Sequence, residues 1–156
     1  MLKQNFLTFF SSLVLISLTA CLTCNCTDSS NNNHAATIAA IVSDMPWESP
    51  IGEATYTGEF AVDHGVKIPN GQGIFEVTEG KYKGNVYNGT LVNGIMEGEA
   101  TYTLSNGDTY KGTFRNNHYH QGRYTIKASG EYFEGIYKDD APYKGYWYDK
   151  NGNKIE

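Results

Sequence analysis

Tyr110-Lys111-Gly112-Thr113-Phe114 has two sister segments in this chain, Tyr87-Asn88-Gly89-Thr90-Leu91 and Phe133-Glu134-Gly135-Ile136-Tyr137. Their starts lie 23 residues apart, twice over. An earlier copy is Tyr56-Thr57-Gly58-Glu59-Phe60, and all share the form aromatic-x-Gly-x-apolar. A second segment follows each at a similar offset: Gly71 to Val77, Gly98 to Leu104, Gly122 to Ile126 and Gly145 to Tyr148. A fixed period of this length marks an array whose units rest on their neighbours.

Within the segments polarity alternates with period two, Tyr102 and Leu104 falling on one face and Thr101 and Thr103 on the other. Alternation predicts strands rather than helices. Asn106-Gly107, Ser129-Gly130 and Asn151-Gly152 follow the second segments at nearly constant distance, and Asn-Gly favours tight turns in which both central residues have positive φ. Two strands of about six residues plus turns fill each period. The expected fold is all-β: a string of about four β-hairpins in one elongated, twisted antiparallel sheet. The glycine between aromatics leaves space for a ring from a neighbouring strand to lie over the backbone. Tyr56, Phe60, Tyr110, Phe114, Phe133 and Tyr137 are therefore expected in the core.

Tyr110-Lys111-Gly112-Thr113-Phe114, the Gly122 and Tyr124 pair and the lead-in Asn106-Gly107-Asp108-Thr109 resemble MORN (membrane occupation and recognition nexus) repeats. The closing run Tyr143-Lys144-Gly145-Tyr146-Trp147-Tyr148-Asp149-Lys150-Asn151-Gly152-Asn153-Lys154 resembles the bacterial variant of that repeat, and the likeness spans residues 52 to 156. The first unit is longer than the others. Tyr82-Lys83-Gly84-Asn85-Val86 reads as an extra, mis-phased copy, and Asn117-His118-Tyr119-His120-Gln121 stands where a glycine-rich turn is expected.

Upstream the composition changes: no Gly precedes residue 52 and no Tyr precedes residue 56. Lys3 opens the chain with positive charge, and Phe6 to Ala20 is apolar apart from Ser and Thr. That stretch is shorter than the roughly 20 residues a membrane span needs, and reads as a signal peptide. Leu18-Thr19-Ala20-Cys21 resembles the lipobox of bacterial lipoproteins. The resemblance implies cleavage between Ala20 and Cys21 and acylation of the Cys21 thiol. Two or three acyl chains, each methylene worth roughly 0.8 kcal/mol, would hold such a protein permanently at a membrane. Leu22 lacks the Asp that retains lipoproteins at an inner membrane, so where two membranes exist the outer one is implied. The expected organisation is a signal peptide over 1–20, an acylated Cys and flexible tether over 21–50, and the repeat domain over 51–156. The apolar piece Ala35 to Val42 reads as a helical turn or two capping the body.

Cleavage removes Lys3 and leaves 11 basic against 17 acidic residues, a net charge of −6. That balance disfavours nucleic acid and anionic lipid surfaces. Cys21, Cys24 and Cys26 all lie in the tether, so no disulfide staples the body, and Cys24 and Cys26 are too close to bridge without strain. No phosphate loop, serine elbow or Cys–His pair occurs. His118 and His120 are the weak metal candidates, with Asp139 or Asp140 of the next hairpin as a third ligand. Asp139-Asp140 is most simply a solvated turn before Pro142. Asp149, Asn151 and Asn153 alternate oxygens as a Ca²⁺ loop does, but lack its bidentate Glu.

The expectation is a non-enzymatic, cofactor-free envelope protein, anchored through Cys21, whose sheet engages a protein partner of unidentified kind. Thr57, Thr101, Thr103, Lys111, Thr113 and Thr125 would present the binding face. Lipid or glycan binding by the sheet is the alternative, and a metal-dependent hydrolase built on His118 and His120 is a second alternative.

Overall fold

The computed structural model describes residues 40–155. The expected signal peptide, Cys21 and most of the expected tether lie outside the described residues. The described part is all-β: nine strands, each antiparallel to the next, in one open sheet whose spatial order is the chain order. They are β1 (Ala40–Ser49), β2 (Gly52–Asp63), β3 (Val66–Val77), β4 (Val86–Val92), β5 (Ile95–Thr103), β6 (Thr109–Arg115), β7 (His118–Thr125), β8 (Tyr132–Lys138) and β9 (Ala141–Tyr148). After β1 the strands form four hairpins, β2–β3, β4–β5, β6–β7 and β8–β9. In β4 the alternation is plain: Tyr87, Gly89 and Leu91 are buried and Asn88 is exposed.

One face of the sheet carries the core. Tyr56, Phe75, Tyr87, Leu91 and Tyr110 are fully buried on it, with Phe114, Phe133 and Tyr137 nearly so. The rings meet edge to face: Phe114 stands 5.2 Å from Tyr87, and Tyr137 stands 5.3 Å from Tyr110, one period later. Tyr119 stacks on Tyr110 at 4.0 Å. Such pairs contribute about 0.5–1.5 kcal/mol each beyond the area they bury.

Small residues form a transverse row across that face. Gly58, Gly73, Gly89, Ala100, Gly112, Gly122, Gly135 and Gly145 pair successively from β2 to β9, and Val42 of β1 faces the first of them. A Cβ on Gly73 would meet the Tyr56 ring within 2.4 Å, and one on Gly145 would meet Phe133 at 2.7 Å, so rings of the preceding strand do lie over backbone here. On Gly112 or Gly135 a Cβ would instead strike the carbonyl of the facing strand at 2.3 Å. Just past this row the register slips in every hairpin, and the extra residues always belong to the second strand (Asn70 to Gln72, Glu97 to Glu99, His120, Tyr143). Bulges bend and twist the strand that carries them. The seams between hairpins have no slip.

Three sequence expectations change. Residues 40–49, assigned to the tether and in part to a helical turn, are strand β1, paired with β2 from Ala40–Phe60 to Ser49–Gly52. Tyr82 to Asn85 is loop rather than a further strand, closed by Gly84 N–H on the Val77 carbonyl at 2.8 Å. Apart from Asp139-Asp140, which the sequence reads as a turn, the tight turns also lie elsewhere. His64-Gly65, Asn93-Gly94, Asn116-Asn117 and Asp139-Asp140 have both residues at positive φ, the geometry that matches strand twist. At Asn106-Gly107 and Asn151-Gly152 only the glycine does, and the loop is wider, closing through Leu104 N–H to Asp108 O and Asp149 N–H to Asn153 O at 2.9 Å.

Candidate functional site

The repeat aromatics are structural in their contacts. Tyr56, Tyr87 and Tyr110 each turn their hydroxyl onto the carbonyl three residues ahead, of Glu59, Thr90 and Thr113, at 2.5, 2.6 and 2.8 Å. The ring therefore arches over the glycine two residues on. Burial pushes the Tyr56 and Tyr110 phenols up to about 12, and moves those of Tyr87, Tyr119 and Tyr137 upward as well. These hydroxyls stay protonated at physiological pH, and those of Tyr56, Tyr87 and Tyr110 donate hydrogen bonds rather than act as bases. Phe60 is only partly buried, at the rim of the core.

His118 and His120 are engaged separately. His118 Nδ1 meets Asp140 Oδ2 at 2.8 Å, while His120 is the extra residue of the β6–β7 bulge, its Nδ1 3.4 Å from Thr113 Oγ1. Asp140 is occupied on both oxygens, because its Oδ1 accepts the Tyr119 N–H at 2.8 Å. Asn117, 23 residues earlier, does the same for the Met96 N–H at 2.8 Å. Asp140 thus ties one hairpin tip to the tip before it. Among the described residues no group of three His, Cys, Asp or Glu side chains stands close enough to hold a metal ion. Asp149 likewise serves its own turn, accepting the N–H groups of Asn151 and Asn153 at 2.8 Å.

A second set of clamps was not visible in the sequence. Buried Asn85 accepts the Ser105 N–H at 2.9 Å and donates to Tyr102 Oη at 2.6 Å. Asp108, 23 residues later, accepts the Lys127 N–H and the Tyr124 hydroxyl, both at 2.9 Å. The Lys127 hydrogen bond chiefly holds the Asp108 carboxyl below its usual range, and burial with the Asp108 contact pushes Tyr124 up to about 12. The only sequence signal for this pairing was the shared period.

Two surfaces remain open. Between hairpin tips and strand roots on the aromatic face lies a recess of about 170 Å³, lined by Tyr82, Asn85, Tyr102, Asn117 and Asp140 among others. A second, of about 340 Å³, is lined by Tyr119, Tyr124, Tyr137, Pro142 and Trp147. The opposite face is polar. There Thr57, Ile74, Asn88, Thr101, Lys111, Arg123, Glu134 and Tyr146 pair in one row across eight adjacent strands. Thr103, Thr109 and Thr125 form part of the next row. Arg123 is fixed in its row, 2.7 Å from Glu134 and stacked 4.1 Å from the Tyr132 ring. No family model matches the sequence, and no curated protein matches it.

Proposed function

We propose that this chain is a lipid-anchored protein of a bacterial envelope, held by acylated Cys21, and that its hairpin array, a MORN-type repeat, is a non-catalytic protein-interaction module. The observation that carries the reading is the polar row from Thr57 to Tyr146, which crosses eight strands with no second layer of described structure over it. Its Thr, Asn, Lys and Arg side chains supply donors and acceptors at the regular strand spacing of about 4.8 Å. A surface of that kind suits an extended partner better than a small molecule, which binds in an enclosed cleft. The anchor gives the sheet its place at a membrane, so the sheet itself has no need to bind lipid.

Site-specific photo-crosslinking in cells tests this. A crosslinker at Lys111 on the polar face is expected to trap one discrete protein, and the same group at Tyr82 on the aromatic face is not. Loss of the adduct in a Cys21→Ser strain would tie recognition to the anchor. If Lys111 gave no adduct above background, the interaction reading would lose its support.

Glycan binding is a second reading, favoured by the partly exposed Tyr124 and Trp147 rings of the larger recess, on which sugar rings stack. Glycan capture abolished by Trp147→Ala, with no protein adduct at Lys111, would favour it.

A further inference from the structure

β9 ends the sheet. Among the described residues its outer edge is met only by the Tyr148–Lys154 bridge and by the Ile155 N–H, which donates to the Trp147 carbonyl at 2.8 Å. The three seams inside the molecule obey one pattern. A small residue faces a small residue, and two positions on, a ring faces a ring: Gly73–Gly89 with Phe75–Tyr87, Ala100–Gly112 with Tyr102–Tyr110, and Gly122–Gly135 with Tyr124–Phe133. β9 presents Gly145 and Trp147 for a seam of the same kind.

β9 also carries the signature of the strand that would complete that seam. Tyr143-Lys144-Gly145-Tyr146-Trp147 has the form of Tyr110-Lys111-Gly112-Thr113-Phe114, so the strand is complementary to itself. Direction then selects the partner. With nine strands, an odd number, a copy added by translation would bring its β1 parallel to β9, against the antiparallel pattern throughout the sheet. β1 is further blunted by Pro46 and by the bulge at Ser43-Asp44. A two-fold axis along the sheet normal instead brings β9 against β9, antiparallel, with both aromatic faces on the same side.

We propose that two copies of this chain associate through β9, across a two-fold axis at Gly145, to make one continuous sheet. Gly145 faces the second copy's Gly145, which extends the row of small residues. Tyr143, the extra residue of the β8–β9 bulge with its ring 5.9 Å from the Lys138 ammonium, falls opposite the second copy's Trp147. Lys144 faces the second copy's Tyr146 on the polar side, a cation over a ring in each half. Tyr143 and Tyr146 are 69% and 50% exposed in the single chain, a large aromatic surface for an edge strand. Tyr146 already holds a cation, the Lys154 ammonium lying 3.3 Å from its ring centre. Lys154 and Ile155 therefore occupy the place the second strand would take, and they yield it on association. This inference does not depend on what the polar face recognises.

Sedimentation of the full chain in detergent at matched density tests the proposal, with circular dichroism as the check on folding. The wild type is expected to be a dimer. Tyr146→Lys sets lysines face to face in both halves and should weaken association about tenfold or more. Adding Lys144→Glu to Tyr146→Lys turns each clash into an ion pair and should restore the dimer. Ile155→Pro removes the N–H that covers Trp147 and should tighten it. Both 144 and 146 are exposed, so the fold tolerates these changes. A monomeric wild type, a dimer indifferent to Tyr146→Lys, or a double variant as weak as the single one would each overturn the proposal.

Discussion

A methyl group on Gly112 would stand 2.3 Å from the Gln121 carbonyl oxygen and 2.5 Å from Gly122 Cα. Both neighbours are backbone of the facing strand, which cannot swing aside as a side-chain tip can. Gly112→Ala is therefore expected to cost about 2 kcal/mol or more, the range of overpacking in a closed core. Gly65→Ala is the control. Nothing lies within 4 Å of a Cβ there, and only the positive φ of 83° opposes it, worth about 1 kcal/mol. Equal losses in thermal melts of the two variants would remove the steric account of the row. The tyrosines that arch over that row make a second prediction, in pH. Tyr56 and Tyr110 have phenols raised to about 12 by burial, against about 10 in an unfolded chain. A raised folded value means that the stabilisation is complete below pH 10 and is lost as pH rises through about 12. Phenolate absorbance and loss of β-sheet signal should rise together in that window. Sheet signal unchanged while these phenols ionise would show that they are not buried as described.

At the scale of the strand and turn, some of the structure was legible and some was not, for identifiable reasons. β4, β6 and β8 announce themselves because each must bury a ring, leave a glycine and bury another apolar group at fixed spacing. β1 carries no such signature: it joins the sheet with Pro46 inside it and a bulge at Ser43-Asp44 that interrupts its alternation. Asn106-Gly107 and Asn151-Gly152 were misassigned as tight because Asn-Gly serves both tight and wide loops, whereas Asp139-Asp140, read as a turn, is one, and Asn116-Asn117 is another. Those residues tolerate positive φ, and their side chains have a second task that no local pattern reveals. Asn117 clasps Met96 through Oδ1 and through its own N–H, at 2.8 and 3.1 Å. Asp140, which the sequence offered as a metal ligand, clasps Tyr119 through its Oδ1. Asn117→Ala removes an acceptor and places an alanine at a φ of 70°, for a combined cost of about 2–3 kcal/mol. Amide exchange should localise the damage. Met96 is expected to exchange faster in the variant, with Tyr119 protected as before by Asp140. Unchanged protection at Met96 would mean that the tips are not held by these clasps.

For the whole molecule, the 23-residue period is a statement about interchangeability. Deleting residues 109–131 removes β6, β7, the turn between them and the loop that follows, and joins Asp108 to Tyr132. Each contact across the old seam then has a substitute one period later: Phe133 for Tyr110 opposite Tyr102, and Gly135 for Gly112 opposite Ala100. Tyr137 takes the place of Phe114 against Tyr87, and Asp140 takes the clasp of Asn117 on Met96. A repeat array whose units touch only their neighbours loses stability roughly in proportion to the units removed, and keeps its fold. The shortened chain should therefore show a β-sheet spectrum and a cooperative melt at lower temperature. A smaller deletion, residues 109–120, provides the contrast. It removes β6, the Asn116-Asn117 turn and the bulge, leaving β5 without a strand that can place a ring opposite Tyr102 and reach the tip clasp together. Because a sheet has two unlike faces, a strand in the wrong register turns its apolar side to water. The smaller deletion should be the more damaging, giving a chain that unfolds or aggregates. If the two variants melted alike, or if the full-period deletion failed while the half-period one folded, the repeat would be a pattern of sequence and not the unit from which this sheet is built.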